Sequence, residues 1–248
     1  MITDKLQRQR FEHKYRISEA KAQQIRFFVQ NYLDCDTYGQ TQPNLSYPVH
    51  SLYLDSKFLK TYQDTINGNR NRYKLRIRYY DYEETPVFFE IKRRYNKVIR
   101  KKRAQVHRRY VKDLLNGHLP TYEHLVHKIP DQLHALEQFC YLQNQLQASP
   151  VLHVSYLREA YELEHSNAVR VTFDRNVQSS IQHDLKLTSE LPKPLSTFGD
   201  TVILELKFTD RYPAWLQELT QLFHLRQQSA AKYVDSIEKL EFRKYELA

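Results

Sequence analysis

Lysine and arginine recur at every second position along parts of this 248-residue chain. The most basic example contains Lys74, Arg76 and Arg78, which alternate with apolar residues. Because successive side chains of a strand point to opposite faces, these three cations share one face. The planar guanidinium of arginine binds two phosphate oxygens at once, so such a face is suited to a phosphate-bearing ligand.

The same alternation predicts seven strands, each with one apolar face and one charged face. They lie at 10–17, 74–80 and 87–94, and around 101–103, 156–158, 170–174 and 204–208. Their charged faces carry Arg10, Glu12, Lys14 and Arg16; Lys74, Arg76 and Arg78; Glu90, Lys92 and Arg94; Lys101 and Arg103; Tyr156 and Arg158; Arg170, Thr172 and Asp174; and Glu205 and Lys207.

A charged strand face can also simply face water, as in many antiparallel sheets. A solvated face usually mixes neutral polar residues with both charge signs, whereas these faces mostly repeat lysine and arginine. Like charges placed side by side are unfavourable unless an anion compensates them. The pattern therefore favours a binding face over a solvated one.

The composition agrees with an anionic partner but does not choose among several. The chain has 38 Lys and Arg against 29 Asp and Glu, a formal charge of +9. Nucleic acid, an anionic membrane surface and a phosphorylated small molecule all fit this surplus. The chain has only four glycines, and their spacing forms no glycine-rich phosphate loop. Phosphate would therefore be bound by side chains rather than by a backbone cradle.

The chain shows no sign of membrane insertion, secretion or cysteine chemistry. No apolar run approaches the roughly 18–20 residues of a membrane helix, and no secretory signal is expected at the N-terminus. Cys35 and Cys140 form no CxxC pair, so neither a disulfide framework nor a zinc site is expected. We expect a cytoplasmic protein; a peripheral position at the inner face of a membrane, through a separate membrane partner, stays open.

Apolar spacing predicts helices that could cover the apolar strand faces. One begins after an N-cap at Ser18 and places Ile25, Phe28, Val29 and Tyr32 on one face. The others are expected at 111–115, 133–146, 215–222 and 229–237, with long loops at 34–47 and 189–200. A closed sheet covered by helices would hold the charges in a cationic lumen. An open sheet would instead present a basic platform.

Eight segments of the chain, taken in order, resemble the VTC (vacuolar transporter chaperone) domain. They are FEHKY at 11–15, SLYLD at 51–55, NRYKLRIRYY at 71–80, FEIKR at 89–93, VSYLREA at 154–160, VRVTFD at 169–174, LELKF at 204–208 and SAAKY at 229–233. This family is one of the triphosphate tunnel metalloenzymes, which are related to the CYTH domain. The resemblance implies one α+β domain over residues 1–248, an eight-stranded antiparallel β-barrel with helices packed on its outside.

The resemblance also implies an activity, a polyphosphate polymerase that transfers the terminal phosphate of ATP to inorganic polyphosphate with Mn²⁺ or Mg²⁺. No specific nucleic acid is expected as a partner. The implied catalytic cations are Lys14, Arg76, Arg78, Lys92, Arg158 and Arg170. The implied substrate-binding residues are Glu12, Lys101, Arg103, Tyr156, Lys207 and Lys232, and the metal-binding carboxylate is Glu205. The attacking phosphate is already ionised, so no general base is expected.

One departure from the tunnel enzymes bears on the reaction. Many of them begin with an ExExK strand, but Arg10 occupies the first position of that pattern here. The loss of one carboxylate argues against a two-metal triphosphatase. Two alternatives stay open: a triphosphatase or other tunnel enzyme acting on nucleoside triphosphate or tripolyphosphate, and a non-catalytic module that binds polyphosphate or RNA. Glu205 could also be a plain salt-bridge partner of Lys207 or of an arginine.

Overall fold

The computed structural model describes residues 10–80, 85–96, 98–163 and 168–246, and the side chains of 11–241 within these ranges. The side chain of Arg10, and with it the departure from the ExExK pattern, lies outside the described part. The strands are β1 Arg10–Ile17, β2 Asp34–Cys35, β3 Ser46–Asp55, β4 Asn71–Tyr79, β5 Val87–Tyr95, β6 Val98–Val106, β7 Ser149–Glu162, β8 Val169–Ile181, β9 Leu195–Ser196 and β10 Val202–Thr209. The α-helices are α1 Glu19–Val29, α2 Thr37–Gln40, α3 Lys60–Ile66, α4 Val111–Leu115, α5 Pro130–Leu146, α6 Ala214–Leu222 and α7 Lys232–Glu246.

Eight strands form the main path of the sheet, in the order β1-β10-β8-β7-β3-β4-β5-β6. The pairings of β1 with β10, β10 with β8, β3 with β4, β4 with β5 and β5 with β6 are antiparallel. The short strands β2 and β9 pair with β7 and β8. The expected α+β class with eight antiparallel strands is confirmed. Closure of this path into a barrel stays a prediction.

The chain divides into two compact units. The first comprises Met1–Tyr47, Leu157–Asn176 and Phe198–Ala230, and the second comprises Pro48–Tyr156, Val177–Thr197 and Ala231–Ala248. The long strands β7 and β8 contribute residues to both units. That residues 1–248 act as one domain remains a prediction.

In the first unit, α1 and α6 cover the apolar strand face. The Ser18 hydroxyl caps α1 by accepting a hydrogen bond from the backbone N–H of Lys21, which satisfies a donor at the helix end. The core includes Ala22, Ile25, Val29, Val171, Phe173, Leu204, Leu206, Leu216 and Leu219. Because Leu204 and Leu206 face this core, the alternating Glu205 lies on the opposite face of β10.

In the second unit, α4 and α5 cover the apolar face of β4, β5 and β6. The core includes Leu75, Ile77, Phe89, Ile91, Ala104, Leu114, Leu136 and Phe139. Helix α5 begins with Pro130 in its first turn, where the missing N–H costs nothing. Helix α7 is tied to β3, since the Tyr233 hydroxyl donates to Asp55 Oδ2 at 2.6 Å. The charged strand faces therefore lie on the side away from the covering helices.

The structure confirms the seven strands expected from alternation and adds β3, which alternation alone did not predict. From Val49 to Asp55 every residue of β3 is buried, so no polar face marks it in the sequence. Helix α3 was also not predicted. Its start is held by the Asp55 carboxylate, which accepts a hydrogen bond from the backbone N–H of Thr61 at 2.9 Å. Both features depend on tertiary contacts.

Other boundaries were predicted wrongly. Helix α1 ends at Val29, and Tyr32 lies beyond it, stacked on Trp215 with ring centroids 4.7 Å apart. The loop expected at 34–47 contains β2 and α2, and the loop at 189–200 contains β9. Helix α7 begins at Lys232 rather than Ser229. Among the described residues, none of the helices combines the length and apolar character needed to cross a membrane.

A buried histidine pair makes the stability of the second unit depend on pH. His50 Nδ1 lies 3.0 Å from His153 Nε2, and the Tyr79 hydroxyl lies 3.1 Å from the same nitrogen. Burial and the neighbouring His50 lower the pKa of His153 to about 3. His153 therefore stays neutral in the folded protein, whereas the unfolded chain binds a proton below about pH 6.5.

We predict that lowering the pH from 7 to 5 reduces the free energy of unfolding by about 2 kcal/mol through His153 alone. Stability falls with pH because the unfolded state takes up the proton. Urea unfolding at the two pH values should show this loss in the wild type and a smaller one in His153→Gln. His134→Gln, at a largely exposed histidine, is the control. An equal pH effect in the wild type and His153→Gln would contradict the prediction.

Candidate functional site

Strands β1 and β10 of the first unit bring together four of the predicted site residues. Glu12 lies opposite Lys207, and Lys14 lies opposite Glu205. Next along the sheet, β8 places Arg170 opposite Lys207 and Thr172 opposite Glu205. Opposite charges thus face one another across β1 and β10, an arrangement that stabilises an antiparallel pair.

Glu205 is the most heavily contacted carboxylate of this face. It is buried, and it lies 2.9 Å from Lys14 Nζ, 2.5 Å from Lys207 Nζ and 3.8 Å from Arg158 Nη2. Lys14 Nζ also lies 3.3 Å from Glu12 Oε1. One ammonium is thus shared by two carboxylates, and Glu205 takes part in several salt bridges.

The two arginines of this face are also held by carboxylates. Arg158 donates to both oxygens of the buried Asp174, at 2.7 and 2.8 Å. Arg170 contacts Asp36 at 2.8 Å and Glu162 at 2.5 Å.

The first unit therefore differs from the expected excess of positive charge. Its described site cations, Lys14, Arg158, Arg170 and Lys207, are matched by the carboxylates of Glu12, Asp36, Glu162, Asp174 and Glu205. Alternation placed Glu12, Asp174 and Glu205 on the charged faces but missed Asp36 and Glu162, which hold Arg170.

The two lysines on Glu205 differ in how firmly they hold their protons. Burial opposes the charge of Lys14, but Glu205 and Glu12 outweigh it, so the pKa of Lys14 is raised. Burial of the Lys207 ammonium and the nearby Arg158 outweigh the pull of Glu205, which lowers the pKa of Lys207 to about 8. Lys207 therefore holds its proton less firmly than Lys14 does.

The second unit is organised around the buried carboxylate of Glu90. Its oxygens lie 2.7 Å from Arg76 Nη2, 3.8 Å from Arg78 Nη2 and 2.6 Å from Lys101 Nζ. Arg76 also donates to the Tyr53 hydroxyl at 3.3 Å. Because these cations surround the Glu90 carboxylate, its pKa stays well below the usual value although burial acts in the opposite direction.

The strand residues of this face carry many more cations than carboxylates. Lys74, Lys92 and Lys101 stand in register across β4, β5 and β6. Arg103 lies opposite Glu90, with its guanidinium 5.0 Å from the centre of the Phe88 ring. By register, the face carries one carboxylate, Glu90, and eight cations: Arg72, Lys74, Arg76, Arg78, Lys92, Arg94, Lys101 and Arg103.

Two titrating groups report the positive potential of this face. Burial normally raises the pKa of a phenol, yet Arg76, Lys232 and Arg78 outweigh burial at Tyr53 and lower its pKa. Burial and the same two arginines, opposed by Glu90, lower the pKa of Lys101 to about 7. A site that favours phenolate and disfavours ammonium is electrostatically prepared for an anion.

Lys232 and Tyr156 are also brought together in the second unit. The Lys232 ammonium lies 4.7 Å from the centre of the Tyr156 ring, and both residues are buried. Tyr233, next to Lys232 at the start of α7, stacks on Tyr53 at 4.8 Å. The first turn of α7 is thus seated on aromatic rings next to the cations that surround Glu90.

Several residues of the two charged faces were missed by sequence reasoning. Tyr53 was missed because β3 is buried on both faces. Asp36 and Tyr47, whose hydroxyl donates to Asp36 at 2.8 Å, fell in the segment expected to be a loop. Lys74 alternates with the chosen residues and could have been selected by that signal.

A divalent cation would depend on the substrate for most of its ligands. Within the described part of the chain, no group of three or more His, Cys, Asp or Glu side chains is placed to hold a metal. Glu12 and Glu205 nevertheless share one ammonium. Magnesium commonly takes one or two carboxylates plus phosphate oxygens and water, so this pair of carboxylates fits such an ion.

Comparison with solved structures gives weak likenesses over most of the chain. A candidate adenylate cyclase from Bacillus halodurans is 14% identical, with 90% of this chain and 93% of that chain covered and a TM-score of 0.48. A candidate adenylyl cyclase from Hippeastrum, described as having a dominant triphosphatase activity, is 10% identical, with 89% and 90% covered and a TM-score of 0.46. TM-scores this low support no conclusion about activity.

Sequence comparison is more decisive. The chain matches none of the curated proteins. The VTC domain, in contrast, matches residues 9–241, which include both charged faces. The chain therefore belongs to the VTC domain family.

Proposed function

We propose that this protein is a polyphosphate polymerase that transfers the terminal phosphate of ATP to the end of an inorganic polyphosphate chain. The observation that carries the proposal is the face of β4, β5 and β6, where eight cations accompany one carboxylate. The lowered pKa of Tyr53 supports a strong positive potential there. Membership of the VTC domain family agrees with the same activity.

The number of cations favours a long polyanion over a single nucleotide. A nucleoside triphosphate carries about four negative charges at neutral pH, which is half the cation count of the second unit's face. A longer chain of linked phosphates could bind the other cations of this face through the same contacts between side chains and phosphate oxygens. Arg76, Arg78, Lys92, Lys101 and Arg103 are the side chains that we assign to phosphate binding in this unit.

The transfer forms one P–O bond and breaks another. An ionised terminal oxygen of the polyphosphate attacks the γ-phosphorus of ATP, and the bond from that phosphorus to the β–γ bridging oxygen breaks, which releases ADP. Phosphoryl transfer requires mainly positioning and charge stabilisation from the protein. Cations held in place by buried carboxylates, as Arg76 is by Glu90, supply both without a general base.

We assign the binding of the divalent cation to the first unit. Its balanced charges make it a weaker polyanion site, but Glu12 and Glu205 together can hold a divalent cation that also binds phosphate. Bound Mn²⁺ or Mg²⁺ would neutralise charge on phosphate that binds to this unit. Lys14, Lys207, Arg158 and Arg170 would then turn towards phosphate oxygens. Lys232 and Tyr156 are proposed to contact phosphate from the start of α7 and from β7.

Product analysis separates this function from its alternatives. Purified protein incubated with ATP and Mn²⁺ or Mg²⁺ should give a ladder of stained polyphosphate on a polyacrylamide gel. Orthophosphate or a cyclic nucleotide as the main product would instead identify a triphosphatase or a cyclase. Tight polyphosphate or RNA binding without turnover would identify a non-catalytic module.

We predict that Arg78→Ala weakens binding of ATP or tripolyphosphate while the fold survives. Arg78 is the most distant of the three cations on Glu90, so its removal leaves Arg76 and Lys101 to neutralise that carboxylate. Loss of a partner to a desolvated phosphate should cost roughly 2–5 kcal/mol. Calorimetric titration measures the change, with exposed Arg109→Ala as the control. Unchanged affinity in folded Arg78→Ala would refute the assignment of this face.

We predict that Glu205→Gln retains nucleotide binding but loses turnover that depends on the divalent cation. Glutamine keeps nearly the same shape and removes the charge that attracts the metal. The rate of ADP release, measured against Mn²⁺ concentration, tests this. Glu19→Gln is the control, since Glu19 pairs with Arg175 outside the charged face. If metal-dependent turnover persists in Glu205→Gln, then Glu205 is only a salt-bridge residue.

We predict that triphosphate affinity falls as the pH rises from 7 to 9, by up to about tenfold per pH unit for each lysine that must regain its proton. The free protein holds the protons of Lys101 and Lys207 weakly, with pKa values of about 7 and about 8, and a bound polyanion would favour their charged forms. Binding should therefore take up protons. Lys101→Arg keeps its charge at pH 9, so it should weaken the pH dependence. Identical profiles for the wild type and Lys101→Arg would contradict this role of Lys101.

A further inference from the structure

The hairpin formed by β5 and β6 is more basic than the phosphate-binding face requires. Of the twelve residues 92–103, eight are lysine or arginine and none is acidic. Tyr95 lies opposite Val98 in the last cross-strand pair, and Asn96 follows with a φ of 53°. A left-handed residue is common in tight hairpin turns, and asparagine tolerates it well.

Apolar side chains are exposed at this end of the hairpin. Tyr95, Val98 and Ile99 are 61%, 47% and 43% exposed, whereas Ala104 and Val106 at the other end of β6 are fully buried. Three neighbouring exposed apolar residues on a hairpin end are costly in water unless something covers them.

Cations share a strand face with Tyr95 and Val98 on the side away from the proposed phosphate site, whereas Ile99 lies opposite Arg94 on the other face. Arg93 lies directly opposite Arg100, and alternation places both on the strand face opposite to Lys92 and Lys101. Two like charges across a strand pair are unfavourable. The only hydrogen bond described for the Arg93 guanidinium goes to the neutral Asn71 side chain, at 3.2 Å. A ligand bound on the Glu90 face cannot account for this second cationic surface.

We propose that the hairpin tip, formed by Arg93, Tyr95, Val98, Ile99 and Arg100, binds the surface of a bilayer that contains anionic lipid. Interfacial binding combines burial of apolar side chains at the headgroup boundary with attraction of lysine and arginine to anionic headgroups. Tyrosine suits this boundary because its ring is apolar and its hydroxyl is polar.

The exposed aliphatic residues favour a membrane over a nucleic acid. Single-stranded nucleic acid uses cations and aromatic rings, both present here, but it offers little to Val98 and Ile99. A bilayer accommodates all the side-chain types of the hairpin tip. The proposal does not depend on the polymerase assignment, since Arg93 and Arg100 have no part in that site.

Vesicle sedimentation tests the proposal with the full chain. Wild-type protein should sediment with vesicles of phosphatidylcholine and phosphatidylserine but not with phosphatidylcholine alone at about 0.15 M salt, where surface charge is screened over roughly 8 Å. Arg93→Ser/Arg100→Ser should bind the anionic vesicles about thirtyfold more weakly, because each lost cation near the surface contributes about fivefold. Tyr95→Ser/Val98→Ser should also weaken binding.

Matched variants distinguish an effect of the hairpin tip from an effect of the overall positive charge. Lys112→Ser/Lys128→Ser removes two exposed charges elsewhere in the second unit, and Tyr141→Ser removes a tyrosine with a similar exposure of 64%. Neither should change vesicle binding. In a second readout, Tyr95→Trp fluorescence should shift to shorter wavelength with anionic vesicles, while Tyr141→Trp should not.

Three results would overturn the proposal. Equal vesicle binding by wild-type protein and both hairpin-tip variants would show that the tip does not contact the bilayer. Absence of wild-type binding to anionic vesicles would show that the protein does not bind such membranes. If the tip variants lose affinity for single-stranded oligonucleotide but keep vesicle binding, the surface serves nucleic acid instead. ATP turnover by the tip variants should match the wild type, which keeps this test separate from that of the polymerase.

Discussion

An excess of cations over carboxylates among the strand residues on one face of β4, β5 and β6 is the constraint on which the rest of this account depends. Eight cations share that face with the single carboxylate of Glu90, and like charges at such spacing oppose folding unless an anion is present. The fold tolerates the face because the alternating residues, such as Ile77 and Phe89, are fully buried under α4 and α5. Burial of the apolar strand face thus offsets the repulsion between like charges on the charged face.

Two tyrosines show that the units differ in electrostatic character. In the second unit the pKa of Tyr53 is lowered, because Arg76 and other cations outweigh burial. In the first unit the pKa of Tyr47 is raised, because burial and Asp36 outweigh the nearby arginines. The same kind of side chain thus responds to a positive potential in one unit and a carboxylate-rich environment in the other. This contrast is the physical basis for assigning polyanion binding to the second unit and the divalent cation to the first.

The sequence predicted those parts of the fold that have a local periodic signal. Strand β1 was predicted with its observed ends, and the Ser18 cap of α1 was correct, because alternation and capping depend on neighbouring residues. Strand β3 has no such signal, since both of its faces are buried. The carboxylates that balance Arg158 and Arg170 were not recognised as partners, because Asp174 and Asp36 reach them only through the sheet. The pairing of Glu205 with Lys207 was among the alternatives that the sequence offered, but ion pairs between distant segments could not be predicted.

Competition between polyanions of different width tests the central claim most directly. A fluorescent ATP analogue bound to the protein would be displaced by tripolyphosphate, by long-chain polyphosphate, or by a DNA duplex at equal phosphate concentration, at about 0.15 M salt. The account predicts strong displacement by both phosphate chains and weak displacement by the duplex, which is about 20 Å across and too wide to follow closely spaced strand side chains. Equal displacement by duplex and tripolyphosphate would contradict the account and favour a general nucleic-acid platform.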